Sequence, residues 1–333
     1  MEKVNIGVIG VGTIGMVHAT ALASSPLANL VGIADVNDDL RKKTAETFGV
    51  KGYSDHRELI NSPEIDAVAI CTPDDQHLAP VMDCMDAGLH IILEKPLTTD
   101  VREAETIAKR VRAYDKKFMM AYIVRFDPRY ALAKEAVDNG EIGEIVHMSA
   151  LRNVNPTTPR YLKGRVSILY FLGVHDIDQL IWMNDSPIER VYAESRGMVI
   201  KQEVGVDDTI LSLIKFKNGV IAQMNHTWFC PVIREARLQA KLDILGTKGQ
   251  IKVEVWNQGL KIYGPEGIRF QDVSYGPTMH NEKIGNMRNQ LEYFLKCIIR
   301  DETPLVGIEE GLAGVQAVTA LEASAETGKP VYL

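Results

Sequence analysis

The chain opens on a short apolar run, Val4 to Ile9, and then alternates such runs with longer amphipathic stretches. Leu30 to Ala34, Ala67 to Cys71 and His90 to Glu94 are further runs of strand length, rich in Val, Ile and Ala. Between and after them, His18 to Ser25, Arg41 to Phe48, Leu78 to Ala87 and Val101 to about Tyr114 carry apolar residues at helical spacing. Strand and helix in strict alternation predict βαβ units around a parallel sheet covered on both faces. Right-handed crossovers then bring the C-terminal ends of the strands to one edge, where such sheets bind ligands.

The pattern changes after about residue 120. Ile145 to Ala150, Val191 to Arg196, Ile210 to Phe216, Val220 to Thr227, Ala240 to Leu245 and Gln250 to Val255 read as strands. Lys217-Asn218-Gly219 and Gly246-Thr247-Lys248-Gly249 are short turns between them, and Asn-Gly is a strong hairpin signal. Met287 to Arg300 and Ile308 to Glu326 read as closing helices. The expected fold is α/β: a doubly wound parallel sheet over residues 1–120, then an α+β domain over 121–333 with a large, mostly antiparallel open sheet. The last helix, about 308–327, is expected to pack back on the first domain.

Length and composition agree with two domains. The 333 residues are 46% apolar and 24% charged, which excludes a mainly disordered chain, a collagen-like repeat and a small disulfide scaffold. Lys and Arg number 37 against 44 Asp and Glu, a net charge of −7. An acidic chain without a basic stripe is a poor binder of nucleic acid or anionic membranes. No run approaches the roughly 18 to 20 apolar residues that span a bilayer. The N-terminus lacks the basic segment, apolar segment and small-residue site of a signal peptide. Cys71, Cys84, Cys230 and Cys297 form no C-x-x-C pair, so no zinc or redox dithiol site is signalled. A reduced, cytoplasmic protein without a metal site is expected.

Gly10-Val11-Gly12-Thr13-Ile14-Gly15 is a G-x-G-x-x-G loop that follows the first strand and opens a helix. Gly10 permits the tight turn, Gly12 lets backbone approach a pyrophosphate, and Gly15 lets helix and strand pack closely. Thr13 and Ile14 begin the helix, whose free N–H groups and partial positive charge suit phosphates. Asp35, at the end of the next strand, is placed to accept hydrogen bonds from two ribose hydroxyls. A 2′-phosphate beside it would bring like charges together, so the Rossmann-type site is expected to take NAD rather than NADP. The alternative is a glycine turn without a nucleotide, with Asp35 as a helix cap.

Three more segments fall at predicted strand ends: Thr72-Pro73 with His77, then Gly88, then Glu94-Lys95-Pro96. With the glycine loop, Gly173-Val174-His175-Asp176, the turn at 246–249 and Ser324 to Val331, they make nearly the whole chain resemble the Gfo/Idh/MocA family of NAD(P)-dependent oxidoreductases. That family includes glucose–fructose oxidoreductase and inositol dehydrogenases. The resemblance implies that Thr72, Pro73, His77 and Glu94 line the cofactor. It implies that Lys95 lies beside the nicotinamide and the reacting hydroxyl, and that His175 is the acid/base group. By themselves, Lys95 also reads as a solvated charge, and His175 as a cap or core residue at the start of an apolar helix.

One departure stands out. Sugar and cyclitol dehydrogenases of this family usually carry Asp four residues before this His; here Phe171 stands there, after Tyr170. Asp178 reads either as orienting His175 or as a surface residue. Arg125 and Asn153 match positions that reach substrate in relatives, and each also reads as a structural contact. Arg160, Lys163 and Arg165 form either a loop over an anionic substrate or a solvated charge cluster. His226, Trp228 and Arg234 receive no role.

The resemblance implies an NAD-dependent dehydrogenase of a sugar, cyclitol or derivative, bound in a cleft between the domains, and a homo-oligomer (dimer or tetramer) assembled through the second-domain sheet. Two other readings are an enzyme that keeps NAD tightly and uses transient oxidation for elimination, hydrolysis or epimerisation, and a non-catalytic NAD sensor.

Overall fold

The computed structural model describes residues 3–230, 238–256, 258–265, 267–280 and 282–333; Arg234 lies outside them. Backbone contacts divide the chain into two compact units: Met1–Phe126 with Ser274–Ala313, and Asp127–Val273 with Gly314–Leu333.

The first unit holds strands β1 (Val4–Ile9), β2 (Ala28–Ala34), β3 (Lys51–Tyr53), β4 (Ala67–Ile70), β5 (His90–Leu93) and β6 (Phe118–Met120). They lie in the order β3-β2-β1-β4-β5-β6, and every neighbouring pair is parallel. Helices α1 (Thr13–Ser24), α2 (Asp38–Phe48), α3 (His56–Ile60), α4 (Leu78–Asp86) and α5 (Val101–Val111) alternate with the strands. All four residues of β4, and Ile91 to Leu93 of β5, have no accessible surface. Such unbroken apolar runs are what a sheet covered on both faces requires.

Two differences from the sequence reading are local. β3 and β6 are three residues each, too short for a periodic signal. The α2 helix starts three residues earlier than its apolar pattern, because the Asn37 side chain accepts from the Leu40 N–H at 3.0 Å and Asp38 and Asp39 favour a helix N-terminus. Register fixes the ligand edge: Ile9 lies opposite Ala34 and Ile70, and Ile70 opposite Leu93. Gly10, Asp35, Cys71 and Glu94 therefore leave their strands at one level.

The second unit begins with α6 (Pro128–Asp138) and β7 (Ile145–Val154), followed by the short α7 (Thr157–Tyr161). A π turn over Leu169–Gly173 leads directly into α8 (Val174–Asn184). Next come β8 (Ile188–Arg196), α9 (Val199–Val204), β9 (Thr209–Phe216), β10 (Ile221–Thr227), β11 (Leu238–Gly246) and β12 (Gln250–Glu254). A hairpin of β13 (Lys261–Gly264) and β14 (Gly267–Phe270) follows. A second small hairpin, β15 (Thr278–Met279) with β16 (Glu282–Lys283), and α10 (Asn286–Ile299) belong to the first unit. The chain closes with α11 (Ile308–Thr327) and β17 (Val331–Tyr332).

The second sheet runs β12-β11-β7-β10-β9-β8-β17. β7 and β10 are parallel and the other neighbours antiparallel. Gly219, at φ +95°, makes the β9–β10 turn that Asn218-Gly219 signalled. Along β9, Ile210, Ser212, Ile214 and Phe216 are buried while Leu211 and Leu213 are exposed, so one face packs and the other is open. Among the described residues, no helix is long and apolar enough to cross a membrane.

Candidate functional site

The first unit presents a cradle at its sheet edge. Gly10 has φ +84°, and a Cβ there would meet the Cys71 carbonyl at 2.7 Å. A Cβ on Gly15 would fall 1.8 Å from the Gly10 carbonyl oxygen, so α1 packs on the loop only through glycine. A Cβ on Gly12 would meet nothing within 4 Å, and no side chain caps α1. Open space over a helix N-terminus fits a pyrophosphate. Asp35 is oriented from below: its two oxygens accept the Val11 N–H at 2.7 Å and the Asn37 N–H at 2.8 Å. A carboxylate has about four acceptor sites, so two remain for the hydroxyls of a ribose. Arg41 donates to the Asp35 carbonyl at 2.9 Å and also pairs with Asp38. Thr13 and Ile14 form the first turn of α1, and Ile14 is exposed.

Behind the edge lies a buried ion pair. His18, on α1, meets Glu94 Oε1 through Nε2 at 2.9 Å, while Glu94 Oε2 accepts the Lys95 N–H at 3.1 Å. Burial opposes a charge on His18, but Cys71 and Glu94 outweigh it and raise the imidazole pKa to about 10. Burial also raises the Cys71 thiol above its ordinary value, against the pull of His18. Glu94 stays below its ordinary value, because His18 and then Lys95 overcome its own burial. Sequence reading missed His18: its partner is 76 residues away, and it looks like any apolar-face residue of α1.

His77 is not where a cofactor can touch it. It has no accessible surface, its Nδ1 faces the Pro96 and Leu97 carbonyls at 2.9 and 3.2 Å, and its Nε2 faces the Thr72 carbonyl at 3.1 Å. Burial holds its pKa below the ordinary value, so it is neutral and has one N–H to donate. One N–H serves one side only, so His77 lies between Thr72-Pro73 and Lys95-Pro96-Leu97 and donates to one of the two segments, the Lys95–Pro96 bond being cis.

In the second unit His175 occupies the first turn of α8 and is 8% exposed. The next residue, Asp176, is the centre of a buried network. Its Oδ1 accepts from Arg152 Nε and a terminal nitrogen at 3.0 and 2.8 Å, and its Oδ2 meets His226 Nε2 at 2.9 Å. Arg152 also reaches the Tyr130 hydroxyl at 3.5 Å. Burial works against the Asp176 charge, but Arg152 and His226 hold its pKa below the ordinary carboxylate value. The network ties α8 to β7 and β10 next to His175. Nothing in the spacing of residues 130, 152, 176 and 226 announces it.

Comparison with known proteins agrees with this geometry. Residues 4–122 match the family model of the Gfo/Idh/MocA oxidoreductases described as an NAD-binding Rossmann fold, and residues 130–252 match the model of that family's C-terminal domain. The chain belongs to the Gfo/Idh/MocA oxidoreductase family. It is 28% identical to the myo-inositol 2-dehydrogenase of Thermotoga maritima, covering 98% of both chains. It is 26% identical to the NAD-dependent scyllo-inositol 2-dehydrogenase of Bacillus subtilis, over 100% of this chain and 97% of that one. The crystal structure of myo-inositol 2-dehydrogenase from Lactobacillus plantarum superposes with a TM-score of 0.85 over 100% of both chains. At 22% identity that likeness speaks for the fold.

Membership makes the first unit an NAD-binding domain, and the residues of its cradle fit that cofactor. The remaining residues singled out in the sequence are distributed as follows. Arg125, in a 3-10 turn over Ile123–Phe126, is 4% exposed and reaches the Leu305 carbonyl at 3.4 Å. Asn153, near the end of β7, donates to Gln239 at 3.3 Å and accepts the Thr227 N–H at 3.1 Å. Arg160 forms a forked pair with Glu203 at 2.6 and 3.0 Å, which neutralises one of the three cations in the 155–165 segment. Asp178 is 3% exposed and accepts from the Gln179 amide at 3.1 Å, so it is no surface residue.

Proposed function

We propose that this oxidoreductase is an NAD-dependent dehydrogenase that oxidises one secondary hydroxyl of a cyclitol of the inositol type, or of a related sugar derivative, to the ketone. The observation that carries the reading is Glu94-Lys95 leaving the sheet at the edge that bears the Gly12 cradle and Asp35. The full-length similarity to two inositol 2-dehydrogenases supports the substrate class.

NAD, when bound, supplies the hydride acceptor. In this reading Gly10, Gly12, Gly15 and the first turn of α1 with Thr13 and Ile14 hold its pyrophosphate, and Asp35 holds a ribose. Thr72, Pro73 and Glu94 line it further along the edge, with His77 fixing the loops. Lys95 donates from Nζ to the substrate oxygen and stabilises the negative charge that grows there as the O–H bond breaks. His175 accepts the hydroxyl proton at a ring nitrogen. Arg125 and Asn153 are assigned to the substrate side. The Asn153 amide keeps one N–H and one lone pair beyond its two sheet bonds.

The assembly expected is a homo-oligomer, dimer or tetramer, formed on the open face of the second sheet, where Leu211, Leu213 and Ile221 are each more than half exposed. Light scattering after gel filtration reads its subunit number. The four cysteines are free thiols, in keeping with a cytoplasmic location.

The test is NADH formation with inositols, aldoses, sugar acids and nucleotide sugars, run with NAD and NADP in parallel. Turnover of a cyclitol or sugar with NAD is expected. Lys95→Met should lower kcat by about 100- to 1,000-fold, the usual effect of removing one donor to a developing oxyanion. NAD affinity should stay within a few-fold. Full activity in that variant removes Lys95 from the chemistry.

A further inference from the structure

The start of α2 stands beside Asp35 and carries Asp38, with Arg41 and Lys42 one turn on. Both cations turn back on Asp38. Arg41 pairs with its Oδ1, and Lys42 meets its Oδ2 at 2.5 Å. Arg41 is also pinned from two sides. Its Nη1 donates to the Asp35 carbonyl at 2.9 Å. Its stem runs over β3 where Gly52 has no side chain: a Cβ there would stand 2.9 Å from Arg41 Cγ. The guanidinium is therefore fixed next to the acid that the cradle offers to a ribose, and its side chain is only 15% exposed.

This is also the place where the two nicotinamide cofactors differ. A ribose 2′-hydroxyl suits the remaining lone pairs of Asp35, whereas a 2′-phosphate in such folds is met by a nearby arginine. Arg41 is an arginine in that position, but its Nη2 is given to Asp38. The backbone donors are taken as well: Asp35 accepts the Asn37 N–H, and the Asn37 side chain accepts the Leu40 N–H. For the helix, such exposed pairs at three and four residues are worth little. For an incoming phosphate they matter more, because it forms charge-assisted bonds only with N–H groups not already committed to a carboxylate.

We infer that Asp38 is a second determinant of cofactor choice: by engaging Arg41 and Lys42 it denies a 2′-phosphate the cations that would offset Asp35, and so keeps the site for NAD. Asp35 repels the phosphate with its own charge; Asp38 occupies the phosphate's counter-ions. That role belongs to the NAD-binding unit and holds whatever hydroxyl is oxidised.

Titration of cofactor-free protein with NADH and with NADPH, read by the fluorescence of the reduced nicotinamide, gives the ratio of the two dissociation constants. Wild type should bind NADPH the more weakly. Asp38→Asn should narrow the ratio by about tenfold, the usual worth of one hydrogen bond to a charged group. Arg41→Gln added to Asp38→Asn should restore most of the original ratio, because the gain runs through that guanidinium. A merely structural Asp38 would move both constants together, and an unchanged ratio in Asp38→Asn overturns the inference. So does a narrowing that survives Arg41→Gln and Lys42→Gln together, which would be simple loss of repulsion. Wild-type protein that binds the two cofactors alike overturns it too. Absence of turnover with every cyclitol would sink the dehydrogenase reading and leave these constants as they are.

Discussion

Glu94 and Asp176 are two buried carboxylates, one in each unit, and each adjoins in sequence a residue assigned to the chemistry. Glu94 precedes Lys95, and Asp176 follows His175. Each also meets a histidine at 2.9 Å. They differ in what cancels their charge. Asp176 has Arg152, a cation at every working pH, so its balance does not depend on His226 taking a proton. Glu94 has His18, which cancels it only while protonated. The side chain of Glu94 is 12% exposed against 3% for Asp176. The second unit thus fixes its helix with a permanent ion pair sealed from water, and the first holds its strand end with a pair that titrates.

The largest effect that tests this contrast is Asp176→Asn. It leaves the Arg152 guanidinium buried without its counter-charge, which costs about 3–5 kcal/mol. Glu94→Gln should cost less, about 1–3 kcal/mol, because His18 can release its proton and remain a neutral ring. Denaturant midpoints of the two variants measure the difference. Equal losses would mean that the two carboxylates are held in the same way.

The smallest effect is a pH dependence. The folded pKa of His18, about 10, is above its unsupported value of 6.5. Its stabilising contribution is therefore complete below 6.5 and is lost as pH rises through 10. Glu94, displaced downward, stays ionised across that window. The stability gap between wild type and His18→Gln, about 1 kcal/mol near neutrality, should shrink progressively and vanish above that range. A gap that stays constant up to pH 11 would show that the pair does not titrate as described. The same series in an Asp176→Asn background should shift with pH in parallel, since Arg152 does not titrate there.

Much of the first sheet was legible because its strands are unbroken apolar runs and its glycine loop has a fixed spacing. β3 and β6 were not, because three residues carry no period. In the second sheet the alternation along β9 and β10 located the strands. It gave no sign that β7 and β10 run parallel, since buried and exposed positions alternate identically in either direction. Gly12 and Asp35 were singled out by local spacing. The partners of Glu94 and Asp176 were not, because the two histidine contacts are made across 76 and 50 residues of chain and the Arg152 contact across 24, by a residue type mostly found exposed. The sequence placed His77 against the cofactor; burial on all sides, which follows only from folding, sets it between backbone carbonyls instead. The π turn before α8 leaves no composition signature either.

The return of residues 274–313 to the first unit has a consequence for how the protein is made. A ribosome that has released residue 126 has delivered all six strands of the parallel sheet but not α10. That helix packs against α1, β1 and the turn that holds Arg125, and its Glu292 accepts from Ser25. Until then the apolar flank that Met287, Leu291 and Phe294 later cover is bare. The nascent NAD-binding half must therefore wait, exposed to chaperones, through synthesis of nearly all of the other unit, and a gene fragment cut at the sequence boundary would encode a domain without one of its walls.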